Sequence, residues 1–153
     1  MEQSMTTRYQ SAHLLVLSLT GIFAIDRLLK ILASHIIEKE FIFQWLMFGR
    51  YENPGIGFGW ELPALLVVPL VGAVVVALSL WWLKLWRRHE RAIVLWGVGL
   101  ILIGALNNYI DRVYFGYVVD YFNFNGTGVW NISDCNIIVG GLLVLRWWRR
   151  QGN

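Results

Sequence analysis

The chain has 153 residues, 57% of them hydrophobic and only 15% charged, with a net charge of +3 and a mean hydropathy of +0.53. That is too apolar for a water-soluble domain of this size, and a bilayer is its natural solvent. The single cysteine, Cys135, excludes an intramolecular disulfide and a cysteine-based metal cluster, so helix packing must hold the fold.

A helix that crosses the hydrocarbon core takes about 20 mainly apolar residues, and four runs reach that length. The first extends from about Ala12 to Ile37 and carries Asp26, Arg27 and Lys30 in its second half. A cleavable leader is a poor reading of it, because no short apolar core precedes a small-residue cleavage site. The segment Ser34 to Glu61 holds Glu38, Glu40, Glu52 and Glu61 among aromatics and glycines, which predicts a small folded cap at the membrane surface. The alternation Phe41, Phe43, Trp45 predicts short strands there. The second run, about Leu62 to Trp86, has no charge before Lys84; Pro63 suits a first helical turn and Pro69 bends the helix. The third, about Ala92 to Asp111, ends in Asn107, Asn108, Asp111 and Arg112. The fourth, about Val129 to Trp148, begins polar with Asn131, Ser133 and Asp134. Several of the nine tryptophans and six tyrosines sit at the ends of these runs, where amphipathic rings meet headgroups. The expected fold is an all-α membrane protein, with residues 1–153 forming one domain of four transmembrane helices and an extracytoplasmic cap with short β-strands.

Basic residues set the orientation. Lys84, Arg87, Arg88 and Arg91 join the second and third runs, and Arg146, Arg149 and Arg150 follow the fourth, so both segments belong on the cytoplasmic side. With four spans, both termini are expected there. The basic balance is explained by topology and anionic lipid, and nucleic-acid binding is not indicated.

A charged group in a spanning helix costs several kcal/mol unless paired or hydrated, so each marks a candidate functional site. Asp26, Asp111, Asp120 and Asp134 all fall near the outer ends of the predicted helices. Asp26 and Lys30 share one helical face, which favours a structural ion pair. Arg112 can present its planar fork to a carboxylate or a lipid phosphate. Asn53, Pro54, Gly55, Gly57 and Gly59 form a stretch that permits close backbone approach, to a substrate or in a plain turn. Asp120 and Asp134 have no basic neighbour in sequence. Facing each other they cannot both ionise; one keeps its proton while the other deprotonates water, which is general acid–base hydrolysis without metal or cofactor.

Other chemistries fit less well. His13, His35 and His89 are dispersed and form no HExxH pair, so a metalloprotease lacks its ligands. No GxSxG elbow occurs, and a Ser–Lys dyad would have to run through Lys30. A small ion- or proton-coupled transporter subunit is the rival from another class, but it predicts carboxylates spread through the membrane depth rather than gathered at one side.

Taken in order, Asp26-x-x-x-Lys30, Asn53-x-Gly55-x-x-Phe58-Gly59, Gly104-Ala105-Leu106-Asn107-Asn108-x-x-Asp111-Arg112, Val118-Val119-Asp120 and Asn131-x-Ser133-Asp134 resemble the lipoprotein signal peptidase (signal peptidase II) family over most of the chain. The resemblance implies a monomeric aspartic endopeptidase of the bacterial inner membrane. Such an enzyme cleaves diacylglyceryl-modified prolipoproteins on the N-terminal side of the lipid-bearing cysteine, contacts membrane lipids and is inhibited by globomycin. By motif position the catalytic pair falls on Asp120 and Asp134. Asn53, Gly55, Asn108, Arg112 and Asn131 would bind substrate or support the site, while Asp26, Lys30 and Asp111 would hold its structure.

Trp130 and Ser133 replace the usual Phe and Ala of the last motif, and Asn107 stands where Gly is usual. The Ser133 hydroxyl is expected to hydrogen-bond the aspartate pair. The segment between Asp120 and Asp134 is shorter than is typical, so closure over substrate is expected to differ.

Overall fold

The computed structural model describes residues 2–35, 40–43, 45–55, 63–124 and 128–151. Helix α1 spans Glu2–His35, followed by strands β1 (Glu40–Phe43) and β2 (Leu46–Asn53). Helices α2 (Ala64–Arg87) and α3 (Ala92–Phe115) lead to strands β3 (Val118–Asn123) and β4 (Val129–Trp130), and α4 (Ile132–Arg149) completes the order. Helix α1 begins ten residues before the apolar run because residues 2–12 contain no glycine or proline to stop it. Pro63 caps α2, whose missing N–H costs nothing at a helix start, and Pro69 lies inside it.

Among the described residues, Leu65–Arg87 and Ala92–Phe115 are long and apolar enough to cross a membrane. The first buries little of its surface, with Leu65, Leu66, Leu70 and Leu80 all exposed, as a helix bathed in lipid would. The apolar character of α1 is broken by Asp26, Arg27 and Lys30, and that of α4 by Asp134, Arg146 and Arg149, although both helices run on continuously through these residues.

Helix α3 is central and packs against α1, α2 and α4. Its approach to α4 depends on glycine. A Cβ on Gly140 would stand 2.5 Å from the Gly97 carbonyl oxygen, and one on Gly104 would stand 2.5 Å from the Ser133 carbonyl oxygen. Only hydrogen on those α-carbons lets the two backbones come this close. Where Gly104 meets Ser133, the next turn of α3 brings Asn108 level with the start of α4, which carries Asp134.

The four strands form one antiparallel sheet in the order β1-β2-β3-β4. Tyr51 pairs with Asp120 and Asn53 with Val118 across β2 and β3, with a register shift between Phe48 and Tyr51. The sheet therefore corrects the expected cap, because half of it comes from residues 118–130 rather than from 34–61. Phe41 and Phe43 lie in β1, while Trp45 lies in the turn that follows. The third helix runs on past Asp111 to Phe115 and ends where Gly116 adopts φ 80°, a left-handed turn that sends the chain into β3. Val129 and Trp130 are strand, so the fourth helix starts at Ile132. Of the cap residues singled out by sequence, Glu38, Gly57, Phe58, Gly59 and Glu61 lie outside the described residues.

Candidate active site

The site grows from a buried ion network where α1 crosses α3. The Lys30 ammonium has three donors. It donates to Asp111 Oδ2 at 2.6 Å and to Asn108 Oδ1 at 2.9 Å, and lies 3.4 Å from Asp26 Oδ2. Arg27 pairs with Asp111 Oδ1 at 2.8 Å, and the Val119 N–H donates to Asp111 Oδ2 at 3.1 Å. Lys30, Asp26 and Asp111 are all buried, and each charge has an opposite partner at contact distance, as burial requires.

This network orients the next layer. An ammonium only donates, so Asn108 must turn its oxygen to Lys30 and its NH₂ away, where Nδ2 donates to Asp134 Oδ1 at 3.0 Å. Asn131 is the N-cap of α4, and its Oδ1 accepts from the Asp134 N–H at 2.9 Å. In return Asp134 Oδ2 accepts from the Asn131 N–H at 3.1 Å, completing a capping box. With its oxygen committed, Asn131 points Nδ2 at Asp120 Oδ1, 2.5 Å away. Asn53 does the same from β2: its Oδ1 accepts from the Gly55 N–H at 3.1 Å, and Nδ2 donates to Asp120 Oδ2 at 2.9 Å. Arg112 donates to the Gly55 carbonyl at 2.8 Å and to Asn108 O at 3.2 Å, tying the end of β2 to α3. Three asparagines thus present donors to two carboxylates, each with its amide oxygen held by a donor that fixes its direction.

Asp120 corrects the expectation that all four carboxylates lie at helix ends, since it sits within β3. It is buried, and burial pushes its carboxyl up to about 7. The Asn53 hydrogen bond opposes that rise, the nearby Asp134 charge adds to it, and Asn131 and Lys30 oppose it. Asp134 is half-buried. A buried carboxyl titrating near neutrality beside a second carboxylate is an arrangement that can hold one proton between two groups.

Residues 18–149 match the family model described as signal peptidase (SPase) II. The chain belongs to the signal peptidase II family. It is an aspartic peptidase of a family of integral membrane enzymes, and its reaction is the removal of signal peptides from prolipoproteins. A lipoprotein signal peptidase of Halothermothrix orenii is 38% identical, the match covering 65% of this chain and 68% of the relative. One from Brucella ovis is 35% identical over 67% of this chain and 69% of its own. A bacterial membrane enzyme solved by the in meso method at 2.3 Å resolution shares the fold, with a TM-score of 0.77 at 20% identity over 92% of this chain and 90% of that one. A second, at 1.9 Å resolution, aligns with a TM-score of 0.74 at 18% identity over 89% and 92%.

Every site residue expected from the sequence of this peptidase lies in this one network, from Asp26 and Lys30 through Asn53, Gly55, Asn108, Asp111 and Arg112 to Asp120, Asn131 and Asp134. Ser133 departs from expectation: its hydroxyl donates to Asp26 Oδ2 at 2.8 Å, not to Asp120 or Asp134. This also leaves a Ser–Lys dyad unassembled, because Ser133 faces Asp26 and Lys30 is bound to a carboxylate and an amide. The three histidines are exposed, two on α1 and one just beyond α2. Two residues of the network were not foreseen. Arg27 reads as one charge among three in the first apolar run, and Tyr121 as one aromatic among many. Tyr121 is buried, and its hydroxyl donates to Asp26 Oδ1 at 2.7 Å while accepting from the Ile132 N–H at 2.9 Å. Burial and the Asp26 charge hold the phenol well above its ordinary range, so it stays a donor. The only sequence signal for it was its place beside Asp120.

Proposed function

We propose that Asp120 and Asp134 are the catalytic pair of this peptidase. The observation that carries the reading is Asn131, whose one side chain donates to Asp120 and accepts from the Asp134 backbone, so the two carboxylates are held by a common residue. One carboxyl holds the proton and polarises the scissile carbonyl while the other deprotonates the attacking water; the roles exchange as the amine leaves. A coupled pair titrates as a unit, so the proton belongs to both. Asn53, Asn108, Arg112 and Asn131 fix the pair, with Gly55 presenting the β2 end, and Asp26, Lys30 and Asp111 carry the buried charge that orients them.

The substrate is a diacylglyceryl-modified prolipoprotein, cut on the N-terminal side of its lipid-modified cysteine. All four helices cross the bacterial inner membrane as one domain, both termini face the cytoplasm, and the site opens near the outer surface beneath the sheet. The acyl chains enter sideways from the bilayer, where each buried CH₂ contributes about 0.8 kcal/mol and sets the depth of the scissile bond. The enzyme works as a monomer among lipids and is blocked by globomycin.

The test is cleavage of a purified diacylglyceryl-modified prolipoprotein in detergent by wild type, Asp120→Asn and Asp134→Asn, with and without globomycin. Folded but inactive variants and an inhibited wild type are expected. Wild-type turnover by either variant removes that aspartate from the mechanism.

A further inference from the structure

The residue that follows Asp120 and the residue that precedes Asp134 both donate to one carboxylate. Tyr121 reaches Asp26 Oδ1 at 2.7 Å from β3, and Ser133 reaches Asp26 Oδ2 at 2.8 Å from α4. All three residues are 0% exposed, and Asp26 is further pinned by Lys30 one turn along α1. Nothing in peptide hydrolysis by two aspartates requires a third carboxylate, and Asp26 touches neither of them among the described hydrogen bonds. Yet it spans their neighbours.

We infer that Tyr121 and Ser133 are positioning residues that set the separation of Asp120 and Asp134 through Asp26, which acts as a spacer between β3 and α4. The inference rests on the catalytic pair proposed above. β3 and α4 are joined in sequence only through residues 124–131 and share a short edge, β3 with β4, at Phe122 and Asn123. Beside the Asn131 bridge, the path Asp120–Tyr121–Asp26–Ser133–Asp134 ties β3 to α4 with two charge-assisted hydrogen bonds of good length. The path is a series linkage, so breaking either bond opens it. Tyr121 also receives the Ile132 N–H, one of the unpaired donors of the first turn of α4, which makes it the more consequential of the two. At Ser133 a hydroxyl is accommodated in a fully buried position because it has a carboxylate oxygen to meet.

Separation of two reacting groups is a property of turnover more than of binding, since misplacement of about 1 Å can cost on the order of a hundredfold in rate. The test uses the purified enzyme in detergent with a synthetic diacylglyceryl-modified prolipopeptide, comparing wild type, Ser133→Ala, Tyr121→Phe and the double variant. Both single changes delete only a hydroxyl and keep the packing. The expected result is kcat lower by roughly fivefold or more in Ser133→Ala and by at least as much in Tyr121→Phe, with KM unchanged. The double variant should fall no further than Tyr121→Phe alone, because a series linkage cannot be broken twice. Unchanged kcat in both single variants, with or without a loss of melting temperature, overturns the inference, as does a double variant whose loss is the product of the single losses. Asp120→Asn and Asp134→Asn are run alongside. If these are inactive while the hydroxyl deletions are not impaired, the spacer fails and the catalytic pair stands; if either aspartate variant is active, the pair itself is wrong.

Discussion

Asn131 Nδ2 lies 2.5 Å from Asp120 Oδ1 while the same side chain caps the helix that carries Asp134. One amide therefore does two separable jobs. Loss of an N-cap costs about 0.5–2 kcal/mol of stability, whereas loss of the donor to Asp120 changes the electrostatics of the pair. Asn131→Asp keeps an acceptor for the Asp134 N–H, because aspartate caps as well as asparagine, but it places a third carboxylate against Asp120. Asn131→Ala should lower both the melting temperature and kcat; Asn131→Asp should retain most of the stability and lose roughly a hundredfold or more in kcat, the scale of a removed preorganised donor. Full activity in Asn131→Asp would show that the donor is dispensable.

The raised carboxyl of Asp120 has a stability consequence whose sign follows from linkage. Its folded value of about 7 lies above the ordinary value of 3.8, so between those limits the folded protein binds more protons than the unfolded chain. Stability then falls as pH rises through that window. The neutral amide of the Asp120→Asn variant does not titrate and carries no such penalty. Its melting temperature relative to wild type should therefore climb from pH 5 to pH 8, and level off above. A difference that does not change with pH removes the basis for placing the titration on Asp120. Activity of the wild type should decline above about pH 7, where the proton shared by the pair is lost.

How much of this was legible beforehand depended on the kind of interaction. The apolar runs located all four helices, because about 20 apolar residues in sequence have few alternatives. The boundaries moved where local signals were weak. The Val129-Trp130 pair reads as the start of an apolar helix until β3 is known to lie beside it, and no local signal stops α3 at Asp111 before Gly116. The second half of the sheet was missed for the same reason, since β2 and β3 are 65 residues apart between Asn53 and Val118 and pair only in space. The polar residues were legible individually, from the cost of burying them, but their partners were not. Lys30 reaches Asp111 as well as its own-helix neighbour Asp26, and Ser133 turned away from the aspartate pair toward Asp26. A hydroxyl in sequence does not declare its acceptor.

Lys30 is the residue on which buried charge converges. Lys30→Met keeps the aliphatic volume but leaves Asp26 and Asp111 without its ammonium, and breaking a buried ion pair in this way costs about 3–5 kcal/mol. It also loosens the Asn108 amide, whose oxygen loses its 2.9 Å donor and keeps only the longer contact from Asn131 at 3.2 Å. The expected outcome is a marked fall in melting temperature together with lost activity. A double variant, Lys30→Met with Asp26→Asn, should recover part of the stability by neutralising the carboxylate left without a cationic partner, Asp111 still being paired with Arg27, but not the activity. Thermal unfolding in detergent alongside the cleavage assay distinguishes the two, and a double variant less stable than Lys30→Met alone would contradict the pairing.

The glycine seam between α3 and α4 predicts a contrast among substitutions of the same type. Alanine is the better helix former by about 1 kcal/mol in a helix interior, so Gly21→Ala, where nothing lies within 4 Å of the new methyl, should be neutral or slightly stabilising. At Gly104 the same methyl would meet the Ser133 carbonyl oxygen at 2.5 Å, and at Gly140 the Gly97 carbonyl oxygen at 2.5 Å. Both are backbone atoms, which cannot rotate away, so α4 must shift as a body. A shift at Gly104 acts on the turn that bears Asp134 and should lower kcat by about tenfold or more. At Gly140, two turns further along α4, it should lower stability with a smaller effect on kcat. Measuring kcat and melting temperature for the three variants checks the order: equal effects at Gly104 and Gly21 would mean that the helices do not approach at Gly104 as closely as the seam requires.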